Sequence, residues 1–429
     1  MWTRNAFAIW TSAVCFVAFG SACEETGERE SVDVAQLDVA VADSVADSAA
    51  DTSADTVAVD SSMSDVLTPD AGDVEPTDTR WPDVDSAKCG EYAVDGPHGV
   101  GVTTITVDGT PVEVWYPAKQ GATEGKEKDS YDMRNWLPKD ERDKISDEKA
   151  PRWTTDAYRD VEASGDGPFP FVLFSHGFGG YRLQSTFLTV HLASWGFVVA
   201  SADHDGRLLA SVLEGNLSMQ DDAPEKMRSV WKELESRAKA STGRFVDLID
   251  VSKVAVTGHS AGAASASTYA EKWSVAGLVG MAGGPRDASQ PVDVSGTAML
   301  MSGTKDDVVT ANQVKSAWDA LKAPKRYLAV RDAGHLAFAD ICLIGRDRGG
   351  VLEIADRNGI NVPGFLKTLA TDGCSDDELP PEIAWPMINH YATAHIRVAM
   401  GIDSSPVDLG ESTARCFDGL VESYETDGL

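Results

Sequence analysis

Six short, mostly apolar runs punctuate the middle of the chain, at 170–174, 197–200, 254–257, 276–281, 298–301 and 326–330. They do not alternate apolar with polar, so both faces of each must be covered. Buried parallel strands read this way. Helical patterns fill the gaps, at 184–195, 224–248, 261–273 and 311–321. Strand and helix in alternation predict an α/β fold, with a mostly parallel sheet and helices on both faces. Before it, 102–107 and 112–116 alternate around Asp108-Gly109, which predicts an opening hairpin. Two polar stretches, 117–167 and 340–380, read as insertions, and a last helix is expected over 382–400.

The run at 254–257 leads into Gly258-His259-Ser260-Ala261-Gly262 and then a small-residue helix. Gly-x-Ser-x-Gly alone arises by chance. Between a strand and a helix it describes an elbow that projects the serine hydroxyl from the sheet edge. Ser260 is therefore the candidate nucleophile. A glycine turn with Ser260 as a helix cap is the plain alternative.

A serine nucleophile needs a base, and the base needs a group to orient it. Of the eight histidines, His335, His390 and His395 follow Ser260. His390 and His395 fall within the periodicity of the last helix and suit a packing role. His335, in Asp332-Ala-Gly-His335, follows the run at 326–330, where α/β sheets place function. The acid should follow a strand between these two. Asp306 is favoured by its distance past the run at 298–301. Asp307 beside it should be exposed or cap a turn, and Asp287 is the other candidate. The oxyanion needs two preorganised N–H donors. Ala261, after the nucleophile, supplies one. The loop His176-Gly177-Phe178-Gly179-Gly180 supplies the other, by position at Phe178.

The stretch Phe174-Ser-His-Gly-Phe-Gly-Gly-Tyr-Arg182, continuing through Leu192-Ala-Ser-Trp-Gly-Phe-Val-Val-Ala200, resembles the secreted platelet-activating-factor acetylhydrolases. It also resembles bacterial polyester-hydrolase and dienelactone-hydrolase-like esterases. Gly258-His-Ser-Ala-Gly262, Gly303-Thr-Lys-Asp306 and Gly334-His335 fall in the matching order. The resemblance spans roughly 100–400. It implies the α/β-hydrolase fold and carboxylic-ester hydrolysis through an acyl-enzyme with no metal or organic cofactor, on short-acyl lipid or polyester-like substrates. Departures are the acidic N-terminal segment and the two insertions, which flank the expected mouth of the site. Trp136, Trp153 and Tyr131 of the first insertion suit either an aromatic substrate wall or core packing.

The N-terminus reads as an address. Arg4, an apolar stretch from Ala6 to Phe19 and small residues up to Ala22 make 1–22 a secretory signal. Cys23 then stands where bacterial lipoproteins carry their lipid, although Gly20 departs from that pattern. Plain cleavage after Ala22 is the alternative. Residues 23–86 are a low-complexity acidic linker: 18 acids stand against Arg29 and Arg80 in 24–86. Self-repulsion and scarce apolar surface predict a disordered tether with a reach of roughly 200 Å. The hydrolase domain is expected over 87–429.

The whole chain of 429 residues carries 37 basic and 68 acidic side chains, a net −31. That field repels phosphate backbones and excludes nucleic-acid binding. The domain's cysteines are Cys89, Cys342, Cys374 and Cys416. Export favours two disulfides, and four cysteines allow three pairings. Cys342–Cys374 and Cys89–Cys416 are the favoured pair. The expected protein is a monomeric esterase exported from a bacterial cell, either anchored through Cys23 as an outer-membrane or cell-surface lipoprotein or secreted. Peptidase or acyltransferase chemistry on the same scaffold, or an inactive surface binding lipoprotein, are the alternatives.

Overall fold

A computed structural model describes residues 80–216 and 221–429. The expected signal peptide, Cys23 and most of the acidic linker lie outside the described residues. The hairpin forms as expected: β1 (Val100–Val107) and β2 (Thr110–Pro117) pair antiparallel. Asp108 and Gly109 sit at φ 48° and 80°. Two left-handed residues in a row match the right-handed twist of the strands they join.

The first insertion holds a small ribbon, β3 (Ser130–Asp132) with β4 (Arg152–Thr154), and an edge strand, β5 (Ala157–Arg159). The alternating portion then runs β6 (Phe169–Ser175), α1 (Thr186–Ser194), β7 (Val198–Ala202), α2 (Leu209–Glu214) and α3 (Ala223–Ala238). It continues with β8 (Ile249–His259), α4 (Ala261–Lys272), β9 (Gly277–Met281), β10 (Thr297–Gly303), α5 (Ala311–Ala320) and β11 (Lys325–Val330). The second insertion carries α6 (Gly350–Arg357) and α7 (Gly364–Leu369). The chain closes with α8 (Pro381–Ala399), α9 (Glu411–Cys416) and β12 (Val421–Asp427).

One ten-stranded sheet results, in the order β12-β11-β10-β9-β8-β6-β7-β2-β1-β5. The six strands from β7 to β11 across the middle are mutually parallel, and β2 and β12 flank them antiparallel. Successive residues of one strand enter opposite cores. Val172 and Phe174 of β6 pack with Leu188 of α1 and Met387 of α8, while Phe171 and Leu173 pack with Trp231 of α3 and Tyr269 of α4. Both faces are buried, which is why the strands read as unbroken apolar runs. Truncating a residue such as Leu300, fully buried here, costs about 2–5 kcal/mol.

Three elements depart from the expected boundaries. The helix expected over 224–248 ends at Ala238. Gly243, at φ 122°, redirects the chain, and Phe245 and Leu248 are buried as loop residues. The apolar signal there was tertiary packing rather than helix. β8 begins five residues earlier than its apolar run. β12 was not foreseen, because Glu422, Ser423, Glu425 and Thr426 give an edge strand no apolar run. Cys89–Cys416 and Cys342–Cys374 are both bonded, the favoured pairing. Two disulfides place the domain in an oxidising, extracellular environment. No helix of the described residues is long and apolar enough to cross a membrane.

Candidate active site

β8 delivers Ser260 at the elbow, with φ 57° and ψ −125°, a backbone conformation that non-glycine residues rarely hold. The strand edge holds it there: Ser260 N–H donates to Met281 O of β9 at 2.8 Å. A side chain at Gly258 would meet Gly262 O at 2.3 Å, and one at Gly262 would meet Ser175 O at 1.9 Å. The motif's two glycines are thus steric requirements of the turn. α4 starts at Ala261, so its free N–H groups and positive dipole end lie beside the serine.

β10 and β11 lie side by side and deliver Asp306 and His335 on neighbouring loops. His335 Nδ1 meets Asp306 Oδ2 at 2.8 Å, with both side chains essentially fully buried. The other carboxylate oxygen accepts the N–H groups of Val308 and Val309 at 2.9 and 2.7 Å. The acid is therefore held on both oxygens. His335 Nε2 is buried without a hydrogen-bond partner. Asp307 is exposed and Asp287 turns its carboxylate onto Ser289, so neither faces His335. His390 bonds Asp408 O and His395 bonds Thr297 O, both as packing residues.

Asp372, in the second insertion, was not foreseen. One oxygen accepts the N–H of His335 and the other the N–H of Asp307 at 2.9 Å. It ties the His335 loop to the Asp306 loop through their backbones. Burial raises its carboxyl above the usual range, and nearby Asp306 adds to the rise. No sequence signal marks it, since it lies 37 positions from His335 in a polar insertion.

The glycine loop runs beside the elbow: a side chain on Gly177 would lie 3.2 Å from Ser260 Cβ. Phe178 and Ala261, the expected oxyanion donors, each offer an N–H that no protein acceptor takes among the described residues. Gly177 N–H donates to Gln184 Oε1 at 2.9 Å, and the Gln184 amide donates to His259 Nδ1 at 2.7 Å. His259 Nε2–H donates to His335 O at 3.0 Å. Those partners fix the His259 tautomer, and burial holds its pKa well below the ordinary value. One side-chain chain thus links the glycine loop, the elbow and the base loop. Beneath them Arg207, itself buried, donates to Ser175 and Ser265 and accepts Gly179 N–H on its carbonyl.

Ser260, His335, Phe178 and Gln184 line one cavity of about 950 Å³, open mouth included. Both insertions reach over it, with Leu137 and Ile145 from the first and Ile354 and Leu366 from the second. The first insertion's aromatics do not line it. Trp136 stacks on Tyr181 at 4.5 Å and donates to Asp203, while Tyr131 packs edge-on to both rings. Trp153 donates to Thr186. These rings anchor the insertion to the core. Among the described residues no group of His, Cys, Asp and Glu is placed to hold a metal ion.

Residues 85–242 match the family model of platelet-activating factor acetylhydrolase, isoform II. The matched stretch includes the glycine loop and stops before Ser260. Among solved structures, a ferulic acid esterase from Streptomyces cinnamoneus superposes with a TM-score of 0.51 at 21% identity. The match covers 73% of this chain and 94% of that one. The fold is that of the α/β-hydrolases, and the chain resembles carboxylic ester hydrolases built on it.

Proposed function

We propose that this chain is an exported serine hydrolase that cleaves carboxylic esters through Ser260, His335 and Asp306. One observation carries the reading. His335 is bonded on Nδ1 to a buried, doubly held carboxylate, and its Nε2 is left unpartnered in the cavity that the strained Ser260 elbow enters. His259 bonds through both nitrogens, and the other histidines that keep one buried nitrogen unpartnered, His191 and His204, do not line that cavity. Ser260 Oγ and His335 Nε2 share no hydrogen bond at rest, and such contacts tighten when substrate binds.

The roles follow from the geometry. Asp306 keeps the Nδ1–H tautomer, which leaves Nε2 free to accept the Ser260 proton as Oγ attacks the ester carbonyl. Phe178 and Ala261 N–H groups receive the oxyanion, helped by the α4 dipole. His335 then hands its proton to the leaving alcohol. Water, deprotonated by the same nitrogen, releases the acid. The signal at 1–22 and the two disulfides support export, and Cys23 supports a lipid anchor on the outer surface. Gly20 leaves plain secretion as the other outcome.

Labelling with a fluorophosphonate, alongside p-nitrophenyl acetate hydrolysis, tests the assignment. Both should vanish in Ser260→Ala, with a rate loss on the order of 10⁶ in kcat. Labelling that persists in Ser260→Ala, or ester hydrolysis undiminished in it, would overturn the assignment.

A further inference from the structure

Gln184 stands two residues before α1 and is buried. Its own N–H donates to Tyr181 O at 3.0 Å and its carbonyl accepts Asp340 N–H at 2.9 Å, so its backbone is held from both sides. Its side chain is engaged at both ends. Oε1 accepts Gly177 N–H, and the amide N–H donates to His259 Nδ1. Neither assignment can be reversed. Gly177 N–H can only donate, and His259 gives its one ring proton to His335 O. The sequence leaves room for this amide, because a side chain on Gly180 would meet Oε1 at 2.1 Å.

Gly177 is where the contact matters. It has no Cβ to limit its rotation, and its carbonyl belongs to the same peptide unit as Phe178 N–H. That N–H is one of the two expected oxyanion donors. Two side chains pin the peptides on either side of the Gly177 Cα. Gln184 takes the N–H of the first. His176 Nδ1–H donates to the carbonyl of the second at 2.8 Å, joined by Gly180 N–H at 3.2 Å. His176 Nε2 accepts His204 N–H at 3.0 Å, which fixes that tautomer. The peptide is trans, so its C=O and N–H point opposite ways. Holding Gly177 O on His176 therefore turns Phe178 N–H away from that ring.

We propose that Gln184 is a positioning residue for the reaction. It sets the Phe178 N–H in register with Ser260 and His335, through Gly177 at one end of its amide and His259 at the other. The proposal rests on the ester-hydrolase reading. Losing the amide leaves nucleophile, base and acid in place and frees the donor to swing from where the oxyanion forms. Binding of a small ester in its ground state, which bears no oxyanion, is spared.

The test uses the full chain with p-nitrophenyl acetate, and with trifluoroacetone, which a serine nucleophile traps as a tetrahedral oxyanion. Gln184→Met keeps the length and removes both hydrogen bonds. Gly180→Ala keeps Gln184 and drives its amide off Gly177. Each should lower kcat about 10–100-fold with KM little changed, the scale of a displaced donor. Inhibition by trifluoroacetone should weaken by the same factor. In the Gln184→Met background, Gly180→Ala should add no more than about twofold, because both changes break one link. Losses that multiply overturn that link. A folded Gln184→Met with native kcat and only a lower melting temperature makes Gln184 a packing residue; the proposal then falls and the esterase reading stands. A kcat loss with trifluoroacetone inhibition unchanged overturns it too, since the damage would lie away from the oxyanion. If the native chain neither hydrolyses p-nitrophenyl acetate nor takes a fluorophosphonate on Ser260, the esterase reading falls and the proposal with it. Where Gln184→Met does not fold, Gly180→Ala decides alone, by kcat and inhibition together.

Discussion

Two carboxylates hold His335, and they act on different atoms. Asp306 bonds the ring and selects its tautomer, whereas Asp372 bonds the backbone N–H and sets where the ring stands. Asp306→Asn presents an amide N–H to Nδ1 and favours the wrong tautomer. Its kcat should fall about 10³–10⁴-fold with the fold intact, read by steady-state kinetics beside circular dichroism. Asp372→Asn keeps one acceptor and turns a donor toward the other N–H. A base displaced by a fraction of an ångström should cost about 10–100-fold in kcat with KM for p-nitrophenyl acetate little changed. A purely structural Asp372 would lower the melting temperature and leave kcat of the folded protein alone. The sequence made Ser260, His335 and Asp306 legible because each follows a strand in a fixed chain order. It concealed Asp372, Gln184 and His259, which act through contacts between distant segments. The glycines told more than they first disclosed: Gly334 precedes His335 because a side chain there would strike Gly373 N at 2.4 Å.

At the scale of elements, the strands of the parallel core were legible and the elements inside the two insertions were not. Burial on both faces writes an apolar run into the sequence, whereas β3, α6 and α7 each bury a single residue, Tyr131, Ile354 and Leu366. Their stability comes from fasteners. Cys342–Cys374 closes a 32-residue separation that contains α6 and α7 and ends two positions from Asp372. A loop of that size is worth about 3–4 kcal/mol when crosslinked. Removing the bond in a Cys342→Ser, Cys374→Ser double variant should loosen the second insertion before the sheet. Limited proteolysis should then cut within 345–370 while the parallel core stays intact. Cleavage spread across the whole domain, with no new site in 345–370, would show the bond to be a general staple instead.

Across the whole molecule, buried histidines set the acid limit. Burial lowers the pKa of His176, His204, His259, His390 and His395, that of His395 to about 3. In the unfolded chain each takes a proton near pH 6.5. The folded state refuses it, so the stability they contribute is complete above pH 6.5 and is lost as pH falls toward the folded values. Each can remove up to about 1.4 kcal/mol per pH unit. Buried Asp340, pushed up to about 7, and the raised Asp203 run the other way, because the folded state holds their protons more tightly. Asp372 and Glu271 add to that side and His98 to the other. Six lowered histidines against four raised carboxylates predict a net loss of stability as pH falls below 6.5. Urea midpoints should therefore drop between pH 7.5 and pH 5. Asp340→Asn should steepen the drop, since it removes an opposing group, and His395→Gln should flatten it. A midpoint that holds or rises on acidification would mean that the carboxylates outweigh the histidines.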